Sequence, residues 1–185
     1  MIHSNLHPVL RSGRSATDGR GAPIALRSAE EIEAIARTGR IVASALDAGR
    51  DACVVGATTA SISEAVATIL RSEGAEPLSL GARPDPELGS VGAFPAAACV
   101  SVDDVILHGV PGKQVLLGGE LVSIDVAARF QGWCADAAIT IPAGRLSEAK
   151  ARLLAAMNEL LETAIDLVRP GVRWSPIAGS MQEMA

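Results

Sequence analysis

SIDVAARFQGWCADAAITI, residues 123–141, decides the fold. Two runs of apolar and β-branched residues flank a short turn, the pattern of a β-hairpin. Asp125 and Asp136 interrupt it, and the basic residue nearest to them is Arg129, close to the turn. Side chains alternate faces along a strand. Asp125 therefore shares a face with Ser123 and Ala127, and Asp136 shares one with Cys134 and Thr140. A turn at Phe130-Gln131 places the two acids directly opposite each other on one face, with Cβ atoms roughly 5 Å apart. Like charges so placed repel, on strands that read as buried. One acid can hold a proton. A cation from elsewhere in the fold can pair with them. A divalent metal can sit between them. Or the turn lies one residue away and the acids are separately solvated. The hairpin leaves these alternatives open.

Upstream, AAACVSV (96–102) and VILHGVP (105–111) read as a strand and a strand running into a turn. His108 is the histidine of this part of the chain; His3 and His7 belong to the terminal segment. Alone it reads as structural, but beside paired acids a neutral imidazole suits a transition metal. Cys99 and Cys134 read as small buried hydrophobes, with Cys134 on the face of Asp136. Further upstream, Ser28 with Glu31 forms a capping box. Ile32, Ile35, Ala36, Ile41, Ala45 and Leu46 give the helix that follows one apolar side. Thr58 or Thr59 caps a second helix with a stripe of Ile62, Val66, Ile69 and Leu70, ended by Gly74. Residues 75–93 are rich in proline and glycine and read as loop. Downstream, a helix from Ser147 is expected to turn Leu153, Leu154, Met157, Leu161, Ile165 and Val168 inward, with Arg169-Pro170-Gly171 as its stop. Ser175 as N-cap and Pro176 at the first helical position open a last helix with a stripe of Ile177, Met181 and Met184. Helices, strands and helices in that order indicate an α+β domain over 24–185. Residues 1–23 are polar and Gly/Ser/Arg-rich and read as a flexible tail.

The 185 residues suffice for one domain with a core, and 49% hydrophobic with 20% charged composition is that of a globular chain. The net charge of −5 argues against a nucleic-acid partner, for which only the Arg-bearing tail speaks. No apolar run is long enough to cross a membrane. Three cysteines without paired spacing suggest a reducing, cytoplasmic setting.

SAEEIEAIARTGRIVASALD resembles the first helix of bacterial-type methionine aminopeptidases, and CVSVDDVILHGVP the stretch of that family with its pocket histidine. LLGGELVSIDV and QGWCADAAITIPAG resemble the family's hairpin of two metal-binding aspartates, with the same spacing and the order His, Asp, Asp. The resemblance runs from about Ile24 onward. It implies the pita-bread fold, here the first half plus the start of the second. It also implies removal of the initiator methionine from nascent polypeptide N-termini. In the family, two divalent ions (cobalt, manganese, iron or zinc) share a bridging water that attacks the scissile carbonyl. Asp125 and Asp136 match metal ligands. His108 matches a pocket residue that steadies the peptide or the developing charge, and Phe94 matches an aromatic of the methionine pocket. A preference for X-Pro substrates fits less well, because the Trp133 region and the first helix resemble the methionine type.

Departures accompany the match. The family's further ligands, a histidine and two glutamates after a Gly-His-Gly segment, have no counterpart in these residues. Ala137 replaces a threonine, Asp103 an asparagine, and Gly92 and Ala93 pocket residues. The implied expectation is a truncated, metallo-exopeptidase-like chain, weak in metal binding and inactive alone unless a C-terminal half is supplied in trans. The alternative is a non-catalytic pita-bread domain that binds a polypeptide partner.

Overall fold

Ser28 starts the first helix as expected. Its side chain accepts from the Glu31 N–H at 3.2 Å, while the Glu31 carboxylate accepts from the Ser28 N–H at 2.8 Å. In this computed structural model, which describes residues 15–17, 23–83 and 92–184, that helix, α1, spans Ala29–Ala52. Helix α2, Thr59–Ser72, is capped by Thr58, which bonds the Ser61 N–H. Ahead of α1, strand β1 (Ser15–Thr17) pairs antiparallel with β2 (Pro23–Ala25). Most of the segment read as a tail lies outside the described residues.

The main sheet is built on the hairpin of β5 (Glu120–Phe130) and β6 (Trp133–Ala143). Strand β5 pairs on its other side with β3 (Glu76–Pro77) and β4 (Cys99–Val102), all antiparallel. Strand β3 falls in the region read wholly as loop. Val122, Ile124, Val126 and Ala128 of β5 are fully buried on one sheet face, in one core with Ile41, Val42, Ala45 and Leu46 of α1 and Ile62, Val66 and Leu70 of α2. Gly49 marks the closest approach, since a Cβ there would lie 3.1 Å from both Ile124 Cδ1 and Val66 Cγ2. Thr38, also buried, donates to the Trp133 carbonyl at 3.3 Å and ties α1 to the start of β6. Ile32, expected in the apolar side, is exposed, because burial along α1 begins only at Thr38.

Two expectations fail in this half. VILHGVP is not a strand: after Val102 the chain turns at Asp103, whose φ is 51°, and runs as irregular backbone. The β-branched run suggested a ladder, but Gly109 reaches β4 by one backbone bond, from the Val100 N–H to the Gly109 carbonyl at 2.9 Å. The strand read over 96–102 is correspondingly confined to Cys99–Val102.

Helix α3, Glu148–Leu167, starts beside Ser147 as expected, and the Ser147 side chain caps it by accepting from the Lys150 N–H. Its inward stripe does not exist in the predicted form. Leu153, Met157, Leu161, Ile165 and Val168 are between 52% and 61% exposed, whereas Leu160 and Ala164 are buried. Helix α4, Trp174–Met184, contacts α3 and buries Ile177; Met181 is half-buried and Met184 exposed. It starts at Trp174, so Ser175 and Pro176 lie inside its first turn and Ser175 is not the cap.

Candidate metal centre

The hairpin turn is Gln131-Gly132, with φ of 50° and 85°, and Phe130 pairs with Trp133. A two-residue hairpin turn of this kind needs positive φ at both central positions, which glycine adopts freely and phenylalanine does not. The turn therefore sits one residue beyond Phe130-Gln131, and the register moves with it. Asp125 is opposite Ala138, and Asp136 is opposite Ala127. The two acids are thus diagonal neighbours, not a directly opposed pair. Their shared face survives, because moving a two-residue turn by one position moves the pairing by two.

That face is turned away from the core. Asp125 stands between the buried Ile124 and Val126, so its own side chain points to the other side of the sheet, where it is half-buried. Asp136 is exposed, as is Cys134, against the expectation that both lay on a buried strand. The outward side chains Cys134, Asp136 and Ala138 of β6 are all exposed. Arg129 belongs to β5 and pairs with Glu76 at 3.1 Å, not with the acids.

On the other flank of Asp125, β4 places Cys99 directly opposite it. Sequence reasoning treated Cys99 as a core hydrophobe. Its alternation within Cys99–Val102 puts Val100 and Val102 in the core and Cys99 on the acid face, a signal that becomes readable only once the β4–β5 register is known. Ser123 and Thr140 face each other on the same side, their hydroxyls 2.7 Å apart.

The loop after β4 returns along the free edge of that strand. Gly109 donates to Ser101 Oγ at 3.0 Å, and a Cβ on Gly109 would fall 2.8 Å from Ser101 Cα. Only glycine allows so close a pass. His108, immediately before it, adopts a φ of 56° and is exposed. It lies close enough to Asp125 to act on its ionisation. Burial raises the Asp125 pKa above the ordinary aspartate value, repulsion from Asp136 raises it further, and His108 lowers it. Burial likewise pushes the Cys99 thiol up, with Asp125 and Asp136 adding to the effect. His108, Cys99, Asp125 and Asp136 therefore form one electrostatically connected cluster. Phe94, half-buried, is tied by backbone bonds to Gly81 and Ala82 at 2.8 Å. Among the described residues it has no hydrogen bond, ion pair or ring contact with the acids.

Residues 33–185 match metallopeptidase family M24. The chain belongs to that family. Within M24 it is similar to methionine aminopeptidase 1 of Mycobacterium tuberculosis, 38% identical over 157 residues, which cover 84% of this chain and 56% of the relative. It is also similar to the methionine aminopeptidase of Aquifex aeolicus, at 35% identity over 88% of this chain and 62% of the relative. The crystal structure of Thermotoga maritima methionine aminopeptidase superposes with a TM-score of 0.78 at 33% identity, covering 87% of this chain and 61% of that one. The E. coli aminopeptidase P structures share the fold alone, with a TM-score of 0.71 at 24% identity. The pita-bread fold expected from the resemblance is thus shown, and the chain spans about three fifths of the length of these relatives.

Members of an M24 family are metallopeptidases, so the donor set can be tested against a divalent ion. Two carboxylates on one face, one of them made reluctant to ionise first by burial and then by the other, suit a hard or borderline cation. Among the described residues no group of three or more His, Cys, Asp or Glu side chains is placed to hold one. The acids fit as part of a site.

Proposed function

We propose that this chain supplies the aspartate pair and pocket histidine of a methionine aminopeptidase-type hydrolase acting on nascent polypeptide N-termini. The observation that carries the reading is the shared outward face of Asp125 and Asp136, with His108 acting on Asp125 from the neighbouring loop. Asp125 and Asp136 would hold divalent ions, drawn from cobalt, manganese, iron or zinc. When bound, such ions supply Lewis acidity and lower the pKa of a coordinated water. His108, exposed at the rim, steadies the peptide or the charge that develops on its carbonyl, and Phe94 contributes to the methionine pocket. The reading carries the cytoplasmic setting that three free cysteines suggest.

Two carboxylates complete only part of a divalent ion's coordination, so binding to residues 1–185 alone is weak. Proton handling also needs a positioned base. Glu148, Glu159 and Glu162 are exposed on α3 and are not brought to the acids. The described residues by themselves therefore hold too few donors for turnover, and activity needs donors beyond them. The test measures free methionine released from a Met-Ala-Ser peptide with saturating manganese or cobalt, with Asp125→Ala as control. No release above control is expected. Metal-dependent release by the 185-residue chain, lost in the control, would overturn the partial-site reading. Calorimetric titration should likewise show affinity weaker than micromolar, reduced further by Asp136→Ala.

A further inference from the structure

The segment joining α1 to α2 runs antiparallel to the stretch ahead of β5 as a short ribbon. The Gly56 N–H donates to the Leu116 carbonyl at 2.8 Å, the Leu116 N–H to the Ala57 carbonyl at 2.9 Å, and the Thr59 N–H to the Gln114 carbonyl at 3.0 Å. Leu116 is buried, so alternation turns Val115 and Leu117 outward. Leu117 is 80% exposed, and Val54, Val55 and Val115 are between 43% and 56% exposed. Val55 lies against the opposite strand of the ribbon, since a Cβ on Gly118 would fall 3.4 Å from its Cγ2. Four aliphatic side chains thus share one patch of surface. Contiguous exposure of this kind marks an interaction site, unlike the scattered apolar residues normal on a soluble surface.

The two ends of the ribbon carry opposite charge. Asp51, exposed in the last turn of α1, stands three residues ahead of Val54 at the end where Leu117 lies. Lys113, also exposed, stands at the far end, beyond Val115 and beside Thr59 and Ala60. Neither side chain has an ion-pair partner among the described residues. Neighbouring charges are already engaged: Arg50 pairs with Asp47, and Glu120 accepts from the Leu117 and Gly118 N–H groups at 2.7 Å. With an acid at one end, a base at the other and an apolar stretch between, the surface is complementary to itself after half a turn.

We propose that this ribbon is the docking surface for a second copy of the chain, in an isologous, two-fold contact. The axis passes through the patch, so the valines and Leu117 of the two copies cover each other and Asp51 of each copy faces Lys113 of the other. Four side chains cover much less than the roughly 800 Å² per partner of a standard interface, so the dimer is weak, with a Kd on the order of 100 µM. The contact uses neither the aspartate pair nor His108.

Sedimentation velocity of the 185-residue chain, from about 10 to 500 µM, tests it. The sedimentation coefficient should rise with concentration toward that of a dimer, and Leu117→Asp should hold it at the monomer value. Asp51→Lys and Lys113→Asp should each weaken association at least ~5-fold, and the double exchange Asp51→Lys/Lys113→Asp should restore it to within about 2-fold. Leu161→Asp/Ile165→Asp, on the exposed face of α3, should leave it unchanged. Far-UV circular dichroism checks that each variant is folded, and the charge exchange carries the test if Leu117→Asp is not. A chain that stays monomeric at the highest concentration overturns the proposal. So does association that survives Leu117→Asp and is lost in the α3 variant, or single-charge losses that the double exchange does not recover.

Discussion

Helices α1 and α2 pack on each other and on the sheet, whereas α3 and α4 pack on each other and make few other contacts. Both pairs start from a sound cap, Ser28 or Ser147, and both carry an apolar stripe at helical spacing. The difference lies in what stands beneath. Ile41, Val42, Ala45 and Leu46 meet a hairpin whose inner face is closed by Val122, Ile124 and Val126. The α3 stripe meets no such surface among the described residues. Amphipathicity thus declares that a helix has a side to bury, and only the rest of the fold determines whether that side is buried.

The largest expected effect follows directly. Ile124→Ala removes a fully buried side chain under α1 and should cost about 3–4 kcal/mol in urea unfolding. Leu161→Ala on α3 should change stability by about 0.5 kcal/mol or less. Comparable costs would show that α3 is covered in solution and would break the contrast. Next comes Gly109→Ala, which drives a methyl into the β4 backbone beside Ser101. A loss of about 2 kcal/mol is expected, and backbone NMR shifts at His108 should move with it.

A smaller effect of opposite sign separates the outward sheet face from the inward one. The folded state holds the Asp125 proton more tightly than the unfolded chain does. Its ionisation therefore costs stability as pH rises above the ordinary aspartate value, about 3.9, and costs nothing below it. Asp125→Asn should raise stability of the EDTA-treated protein at pH 7 by about 1 kcal/mol at most, after discounting for solvent screening, with the gain vanishing near pH 3. An Asp125→Asn protein less stable than wild type at pH 7 would mean that the carboxylate is paired.

The smallest effect concerns the tie between the two regions. Lys150 Nζ donates to Asp103 Oδ1 at 2.7 Å and to the Gly119 carbonyl at 2.8 Å. The Lys150 bond first, and the Leu121 N–H second, hold the Asp103 carboxyl below the ordinary aspartate range. Its contribution is therefore present above that range and lost as pH falls through the lowered value. Because the pair is partly exposed, Lys150→Ala should cost under about 1 kcal/mol at pH 7, with the Asp103 share fading as that carboxyl protonates and the Gly119 share remaining.

Local chemistry was legible wherever a residue acts on its neighbours in sequence. The caps at Ser28 and Thr58 stand where the hydroxyls predict, and the hairpin forms with its turn one residue further on. The site was legible as a shared face but not as a register. Gly132 offered the clue that the turn begins at Gln131, since phenylalanine is costly at positive φ. Cys99 beside Asp125, and the bond of Asp103 to Leu121, depend on pairing across about twenty residues, which periodicity does not encode. Asp103 takes a positive φ and accepts from the Leu121 N–H at 2.9 Å. VILHGVP misled for a related reason, because its β-branched residues are exposed loop side chains, Ile106 among them.

The Gln131-Gly132 turn has a consequence for how this hairpin can change over evolutionary time. Inserting or deleting a single residue there, if β6 slid along β5 to accommodate it, would exchange the two faces of β6. Asp136 would then point into the core beneath α1, and Ala135 or Ala137 would take its place beside Asp125. A change of two residues preserves the faces and merely slides one carboxylate along the ladder. Length variation at this tip is therefore filtered by odd and even, and a lineage that keeps both acids should vary its loop in steps of two or absorb an odd residue as a bulge outside the ladder.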